Sequence, residues 1–339
     1  MNTIGNTQVI MAGQLHRETI INLDGQIFID QLGGNLAYTC TAFYLWSEGA
    51  GLISRVDEDY PQEFIEKLQA LGADISGIQR TSQDLESRAF FALLNENEVD
   101  SQNPISHFSQ LKIPFPKSLL GYTKLPSPKL DFRNQSTPLT FHPQDIPNSY
   151  MDATIAYLGD LDYLSMNFLP PHFRNGLIKN IILKPSPGTL NPSFWYDFST
   201  MVRGSTAVIC TKKTILNLFL GRSQDLWEIA QIIANCGVEN VVITCGGDGQ
   251  ILFDRIHQKR WDIPAYPVRV VDQIHASDAF AGGFLAGFHI HYDPLLATLY
   301  GNISASIKIQ GSCPFYILDT LPALAHSRLN MLKSSVVER

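Results

Sequence analysis

Apolar residues recur along the chain at two spacings, and their order predicts strands that alternate with helices. "QVIMAG" (8–13) is typical of a short buried strand, whereas "NLAYTCTAFYLW" (35–46) has apolar residues at helical spacing. The strand "GAGLISRV" and the helix "YPQEFIEKLQALG" follow in the same order. This alternation predicts an α/β fold with a mostly parallel central sheet and helices on its faces.

Two segments near the N-terminus predict a small β lid, from about residues 15–32 and 86–98. "ETIINLDGQIFID" reads as a hairpin around the Asp24-Gly25 turn, and "SRAFFALLNENE" reads as a second strand pair. Residues from about 100 to 148 are rich in proline, serine and asparagine and predict a loop-rich insertion. The strand and helix pattern then returns, so the sequence predicts a single domain over residues 1–339.

Composition favours a small molecule as the partner. The chain has 339 residues, is 45% hydrophobic and carries a net charge of -7 without a basic block. Nothing in this charge distribution favours nucleic acid or an anionic membrane, and no apolar run is long enough to span a bilayer. The first residues show no secretory leader pattern, so we expect a cytoplasmic location. The five cysteines are scattered and predict reduced, mostly buried thiols.

The segment "VDQIHASDAFAGGF" (271–284) carries the clearest chemistry. It predicts an extended stretch that turns sharply into an apolar helix starting near Ala276, with Asp278 in the first turn. Free amides at a helix start attract phosphate. A carboxylate beside them can accept the proton of a substrate hydroxyl during phosphoryl transfer. The alternative is that Asp278 only caps or charges the helix start.

Glycines follow two of the predicted strands. Gly33 and Gly34 precede a helix, where backbone can meet the hydroxyls of a ligand at close range. "VVITCGGDGQILF" places a polar, glycine-rich turn after a buried strand, where a nucleotide could approach; the alternative is a plain turn between strands. The spacing is neither that of a Walker loop nor that of a dinucleotide fingerprint. The residues concerned are Thr244, Gly246, Gly247 and Gly249.

Together these segments resemble the ribokinase-like, or PfkB-type, carbohydrate kinase family. "GGNLAYTCTAFYLWSEGAGLISRVDEDYPQEFIEKLQALGADISGI" is similar to the first family signature, and "VITCGGDG" through "VVDQIHASDAFAGGFLAGF" to "YGNISASIKIQG" is similar to the second. The resemblance covers about residues 8–80 and 205–313. It implies a three-layer Rossmann-like core with a small β lid. It also implies transfer of the γ-phosphoryl group of ATP, with Mg²⁺, to a hydroxyl of a sugar or nucleoside.

The resemblance also implies roles for particular residues. Asp278 matches the catalytic base, and Asp272 opens a loop that organises a monovalent cation in some family members. The anion hole matches His275, Ala276 and Ser277. The nucleotide side matches Thr244, Gly246, Gly247 and Gly249, with Asn302 near the adenine. The substrate side matches Gly33, Gly34, Asn35 and Tyr38, and it includes Glu18 where the family often has a substrate-gripping aspartate.

The sequence departs from the family pattern at several of these places. His275 stands where the loop usually has glycine; its ring would obstruct the phosphate, lie at the surface or donate an extra hydrogen bond to the phosphates. Tyr38 replaces a frequent asparagine and would stack on a ring or fill the core. The magnesium-organising Asn-x-x-Glu motif is missing, because "STAVICTKKTILNLFLG" has Lys212, Lys213 and Ile215 at the expected spacing and lysine does not coordinate metals. The metal ligands therefore stay unassigned.

Two functions remain open on the sequence. The first is an ATP-dependent, PfkB-type kinase of altered specificity. The second is a catalytically weak or inactive relative that binds a nucleotide or sugar as a sensor or partner module. The alternating pattern of the lid hairpin also makes it a candidate edge for a homodimer.

Overall fold

A ten-stranded sheet forms the centre of the computed structural model, which describes residues 7–83, 85–124 and 133–339. The strand order in this sheet is β14-β13-β12-β11-β10-β9-β8-β1-β4-β5. The strands of the chain are β1 (Val9–Ala12), β2 (His16–Ile21), β3 (Ile27–Gly33), β4 (Ala50–Asp57), β5 (Asp74–Thr81), β6 (Arg88–Asn95), β7 (Glu98–Asp100), β8 (Ile155–Gly159), β9 (Asn180–Lys184), β10 (Ala207–Thr211), β11 (Asn240–Thr244), β12 (Gln250–Asp254), β13 (Lys259–Ile263) and β14 (Val337–Glu338).

Helices cover the sheet and connect its strands. They are α1 (Asn35–Tyr44), α2 (Gln62–Ala70), α3 (Pro104–Gln110), α4 (Tyr163–Arg174), α5 (Trp195–Val202), α6 (Lys212–Leu218), α7 (Leu226–Asn235), α8 (Ala276–His291), α9 (Pro294–Lys308) and α10 (Pro322–Lys333). No helix in the described part of the chain combines the length and hydrophobicity that a bilayer span requires.

The seven strands from β11 to β5 run parallel, as the alternating pattern predicts, while β12, β13 and β14 are antiparallel additions at one edge. Strand β1 shows how the sheet is buried on both faces. Val9 and Met11 belong to a core shared with α1, α8 and α9, whereas Ile10 and Ala12 belong to a core shared with α4 and α7. Successive side chains of a strand point to opposite faces, so the two cores define a three-layer arrangement.

A separate four-stranded sheet contains the segments in which the sequence predicts a lid. Its order is β3-β2-β6-β7, so the predicted hairpin and strand pair join in one sheet. Strands β2 and β3 pair in antiparallel register around the Asp24-Gly25 turn, and β2 pairs in parallel with β6. We call this sheet the lid. Strand β3 leads through Gly33 and Gly34 directly into α1, so the lid and the core are joined close to the glycine pair.

The segment predicted as a loop-rich insertion contains more regular structure than its composition indicates. Helix α3 and two short 3₁₀ turns, Lys117–Leu119 and Pro143–Asp145, lie within it. Phe108 of α3 packs with Phe90 of the lid in a small apolar cluster of its own. Residues 125–132 of this segment lie outside the described part of the chain.

Close helix packing fixes the position of α8. A Cβ atom on Gly282 would lie 2.1 Å from the carbonyl oxygen of Thr39 in α1, and one on Gly283 would lie 2.3 Å from the Ser304 hydroxyl in α9. Only glycine permits this approach, because a methyl group at either place would overlap its neighbour. The helix that carries Asp278 is therefore held firmly between α1 and α9.

Candidate active site

The carboxyl ends of the parallel strands meet at one edge of the sheet, and polar residues gather there. Asp160 follows β8, Lys184 ends β9 and Thr244 ends β11. Helix α8 begins beside them, since Lys184 Nζ lies 2.8 Å from the Asp278 Oδ1 atom. In open α/β sheets this edge is the usual place for a ligand.

Asp278 lies in the first turn of α8, as the sequence predicts, and is almost fully buried. One carboxylate oxygen faces Lys184, and the other lies 2.7 Å from the Nδ1 atom of His275. Burial alone would raise the pKa of Asp278, but the neighbouring Lys184 and His275 cations outweigh it and hold the pKa well below its usual range. Asp278 is therefore a carboxylate whose two oxygens both face protein cations.

His275 joins the core to the lid. Its Nε2 atom lies 2.7 Å from Oε1 of Glu18 on β2, while its Nδ1 atom faces Asp278. The ring stacks on Tyr38 with centroids 4.5 Å apart and an interplanar angle of 18°, and Phe91 of the lid meets it edge-on at 6.1 Å. The prediction left obstruction, surface placement and phosphate donation open for His275. The ring lies between the two acids of the site and its side chain is only 13% exposed, which contradicts surface placement.

Two carboxylates determine the charge of His275. Burial alone would lower its pKa, but the Glu18 carboxylate and the hydrogen bonds to Asp278 and Glu18 raise the pKa to about 10. His275 is also the residue from which α8 starts, with φ of 58°. A non-glycine residue in this left-handed region is uncommon, which marks the position as one where the surrounding contacts fix the backbone.

We expect these contacts to make stability depend on pH. His275 has a higher pKa in the folded chain than in the unfolded chain, so its contribution is fully present below about pH 6.5 and is lost as the pH rises through about 10. The free energy of unfolding should therefore fall between these values, by up to about 1.4 kcal/mol per pH unit. Urea unfolding at a series of pH values measures it. A His275→Gln variant should lose this slope; an unchanged slope in the variant would contradict the assignment.

Glu18 has the position that the resemblance implies, on the lid and facing the core. It is fully buried, and its Oε1 atom also accepts a hydrogen bond of 2.7 Å from the Gly34 amide. A Cβ atom on Gly33 would lie 2.1 Å from the Glu18 carboxyl carbon, so the glycine leaves the space in which this side chain folds back. The cationic His275 lowers the pKa of Glu18 although burial alone would raise it.

Asn35 and Tyr38 are both predicted on the substrate side, and both side chains contact other groups of the protein. The Asn35 amide accepts from the Gln14 backbone amide at 2.7 Å and donates to the Gly159 carbonyl at 2.7 Å. It thereby ties the start of α1 to the ends of β1 and β8. Tyr38 is buried, and its ring stacks on the His275 ring of the protein itself.

The backbone amides of Ala276, Ser277 and Asp278, at the start of α8 where the anion hole is predicted, differ in availability. The Ala276 amide donates to the Gln273 carbonyl at 3.1 Å, and the Asp278 amide donates to the His275 carbonyl at 3.0 Å. Among the described residues, the Ser277 amide has no acceptor. Of the three, Ser277 is therefore the amide that is free for an anion.

Asp272, predicted for a cation loop, already has a protein cation beside it. Lys308 Nζ lies 3.2 Å from Asp272 Oδ1 and donates to the Asp272 carbonyl at 3.0 Å. Both side chains are fully buried, and the burial lowers the pKa of Lys308 even though Asp272 opposes the shift. An ammonium group thus stabilises the loop before α8 from the inside.

The predicted nucleotide side is a tight turn after β11. The Cys245 amide donates to the Gly249 carbonyl at 2.7 Å and closes the turn, while Gly246 and Gly247 face open space. The Asn302 side chain is buried and hydrogen-bonded within the protein. It donates to Gln250 Oε1 at 2.6 Å and to the Pro264 carbonyl at 2.8 Å.

The magnesium motif of the family has no equivalent among the described residues. No group of three or more histidine, cysteine, aspartate or glutamate side chains in the described ranges could hold a metal ion. At the place where the family pattern has its magnesium motif, Lys212 faces Asp248 at 3.5 Å and Ile215 is buried. Magnesium in such sites is usually held by one or two carboxylates together with water and the nucleotide phosphates, so a nucleotide-held ion needs no cluster of this kind.

Sequence reasoning missed Lys184 and Asp160. Lys184 Nζ lies 2.6 Å from Asp160 Oδ2 as well as 2.8 Å from Asp278 Oδ1, so one buried ammonium group serves two carboxylates. These carboxylates raise the pKa of Lys184 well above its ordinary value against the effect of burial. The available signal was position: both residues are lone charges at the carboxyl ends of apolar strands, in "YLGD" and "NIILK".

Comparisons with known proteins agree with this fold. The pfkB family carbohydrate kinase model matches residues 174–315. A curated cytidine kinase of Thermococcus kodakarensis is 23% identical over 287 residues, which is 83% of this chain and 88% of that protein. An E. coli protein crystallised with ATP and Mg²⁺ has a TM-score of 0.70 at 16% identity, covering 96% of this chain and 99% of that one. A nucleoside kinase of Burkholderia thailandensis in complex with inosine has a TM-score of 0.65 at 17% identity, covering 96% and 98%.

The fold is therefore the ribokinase-like fold that the resemblance implied, with a mostly parallel central sheet. The chain is similar to PfkB-type carbohydrate kinases over residues 174–315, which is less than half of its length.

Proposed function

We propose that this protein transfers the γ-phosphoryl group of ATP to a hydroxyl of a nucleoside or sugar. The proposal rests on one observation: two acids from different elements contact the same side chain. Glu18 of the lid and Asp278 of α8 face the same ring, that of His275, beside the glycine pair that joins lid and core. An acceptor bound there would lie between an acid that can hold its hydroxyls and the start of a helix that can hold a phosphate.

The relatives support a nucleoside or sugar acceptor. The curated relative is a cytidine kinase, and the Burkholderia neighbour is a nucleoside kinase crystallised with inosine. Phe91 of the lid is partly exposed and meets the His275 ring edge-on. Such a ring can cover a nucleobase or a sugar face. We therefore place nucleosides first among the acceptors to test.

A second function, ligand binding without turnover, is favoured by one specific contact. His275 links Glu18 to Asp278, and both Asp278 oxygens face protein cations. In this arrangement the ring fills space that an acceptor would need, and the cations that face both Asp278 oxygens weaken it as a proton acceptor. A protein that kept this arrangement would bind nucleotide and act as a sensor or partner module.

One experiment separates the two functions. ADP release is measured with MgATP against a panel of nucleosides and sugars, and the melting temperature is measured with the same ligands. We expect turnover with at least one nucleoside, together with thermal stabilisation by ATP. Stabilisation without turnover on any acceptor would reject the kinase and leave the binding function.

A further inference from the structure

We propose that the atom that accepts the proton of the acceptor hydroxyl is Nε2 of His275, with Asp278 holding the ring as a positioning residue. This inference rests on the proposed kinase function and deepens it. The family resemblance implies that the Asp278 carboxylate accepts this proton. We assign that role to His275, which stands where the family usually has glycine.

The first reason is that both oxygens of the Asp278 carboxylate face protein cations. Lys184 lies 2.8 Å from one oxygen, and Lys184 is itself held by Asp160 at 2.6 Å. His275 lies 2.7 Å from the other oxygen. Cations beside both oxygens stabilise the ionised carboxylate, which makes Asp278 a weak proton acceptor.

The second reason is the direction in which His275 faces. Its Nδ1 atom faces Asp278 three residues along in the same helix turn, so this pair stays together when other elements move. Its Nε2 atom faces Glu18, which belongs to β2 of the lid. The Nε2 contact is therefore the one that separates when the lid moves away.

The third reason is that the ring is held in a fixed plane. Tyr38 stacks on one face, Phe91 meets the edge, and the position starts a helix anchored between α1 and α9. A hydrogen-bonded carboxylate on Nδ1 and a fixed ring plane are the features that prepare a histidine to act as a general base through Nε2. Titratable groups of several elements surround the ring. They are Glu18 and His16 of β2, Tyr38 of α1, Asp160 after β8, Lys184 of β9 and Asp278 of α8.

In the resting arrangement the ring is protonated, because both carboxylates lie against it. When an acceptor hydroxyl replaces Glu18 at Nε2, one of the two stabilising charges is removed and the proton on the ring becomes less stable. The ring then loses its Nε2 proton to solvent and keeps the Nδ1 proton that Asp278 holds. Glu18 remains beside the acceptor and can accept a hydrogen bond from a neighbouring hydroxyl.

The transfer step then balances as follows. The O–H bond of the acceptor breaks and its proton goes to His275 Nε2, while the acceptor oxygen forms a bond to the γ-phosphorus of ATP. The bond from that phosphorus to the bridging oxygen of the β-phosphate breaks, and ADP leaves with the electron pair. The Ser277 amide, which is free among the described residues, is placed to donate to the transferred phosphoryl group. The proton leaves His275 to solvent when the phosphorylated product departs.

A His275→Gly variant with added imidazole tests the proposal on activity. Glycine suits the backbone at this position, where φ is 58°, and it removes only the ring. We expect turnover to fall by about 10²- to 10⁴-fold and free imidazole to restore part of it. His257→Gly is the matched control, because His257 lies 2.7 Å from Asp254 in the same i, i+3 geometry away from this site; it should keep wild-type turnover without an imidazole response.

Three results would overturn the proposal. Turnover in His275→Gly equal to or above that of the wild type would show that the ring obstructs the site. A loss without imidazole rescue and without a change in the pH–rate profile would reduce His275 to a structural role. Wild-type turnover absent on every acceptor would reject the kinase function itself, and the proposal with it, whereas the first two results leave that function standing.

A second measurement does not depend on turnover. Nitrogen NMR of the His275 ring reports its protonation and, in the neutral form, which nitrogen carries the proton. We expect the neutral ring to be protonated on Nδ1 and bare on Nε2, and Glu18→Gln to move the ring titration to lower pH. A neutral ring protonated on Nε2, or a titration that Glu18→Gln does not move, would contradict the assignment.

Discussion

Replacing Asp278 by asparagine is expected to lower phosphoryl transfer by about 10²- to 10⁴-fold while ATP still stabilises the protein. The amide keeps the shape of the side chain but removes the charge that holds Lys184 and His275 in place. The ring can then turn, and no anionic partner holds a proton on Nδ1. Steady-state rates of ADP release and thermal melting with ATP measure both parts of this prediction.

The matched control is Asp254→Asn. Asp254 is almost fully buried and pairs with His257 at 2.7 Å, so the substitution removes a similar Asp–His pair outside the site. We expect it to leave turnover near the wild-type rate. An Asp278→Asn variant that kept more than about a tenth of the wild-type rate would remove Asp278 from the mechanism, whatever accepts the proton.

Replacing Lys184 by methionine is expected to destabilise the fold by about 3–5 kcal/mol. Methionine fills a similar volume, but it leaves Asp160 and Asp278 close together without the ammonium group that lies between them. Lys184 is 9% exposed, so water can replace little of the lost interaction. The free energy of unfolding in urea, compared with the wild type at the same pH, measures the effect.

An exposed ion pair supplies the control for Lys184→Met. Lys259 lies 3.0 Å from Glu338, and both side chains are about half exposed. Lys259→Met should change the free energy of unfolding by no more than about 1 kcal/mol, as is usual for surface pairs. If Lys184→Met cost as little as this control, the buried network would not be held by charge and the assignment of Lys184 would be wrong.

The sequence predicts the fold well because its elements depend on local pattern. The period of apolar residues identifies β1, β4, α2, α7 and α8, and the Asp24-Gly25 dipeptide identifies the lid hairpin. The fold class is confirmed. The antiparallel edge strands β13 and β14 were missed, since short strands at a sheet edge leave little apolar pattern to recognise. Helix α3 was also missed, within a segment whose proline-rich composition favours loop.

The candidate site was predicted less completely, because its main contacts join residues far apart in the chain. Motifs identify Asp278 and Glu18 separately. The position of the lid on the core brings both of them into contact with the His275 ring, and no motif contains that information. Lys184 and Asp160 belong to no motif and meet Asp278 only through the order of β8 and β9 in the sheet. The assigned roles of the site residues and a dimer through the lid stay predictions.

The pairing of His275 with both acids changes the meaning of the altered loop. In the sequence, a histidine in place of glycine reads as a defect in a phosphate site. In the structure it is a buried, charged ring held by Asp278 and facing the lid. The contact of His275 with Glu18 and Asp278 is compatible with two functions, a kinase with a modified proton acceptor and a protein that only binds ligand. Formation of a phosphate ester distinguishes the first from the second.

Phosphorus NMR of the reaction mixture tests the central claim most directly. Wild-type protein is incubated with MgATP and the nucleoside that stabilises it best, and the spectrum is followed for a new phosphomonoester signal together with the signals of ADP. We predict that the monoester and ADP form in equal amounts, and that Asp278→Asn forms neither at a comparable rate. ATP that stays intact, or ADP that appears with inorganic phosphate in place of the monoester, would contradict transfer to an acceptor.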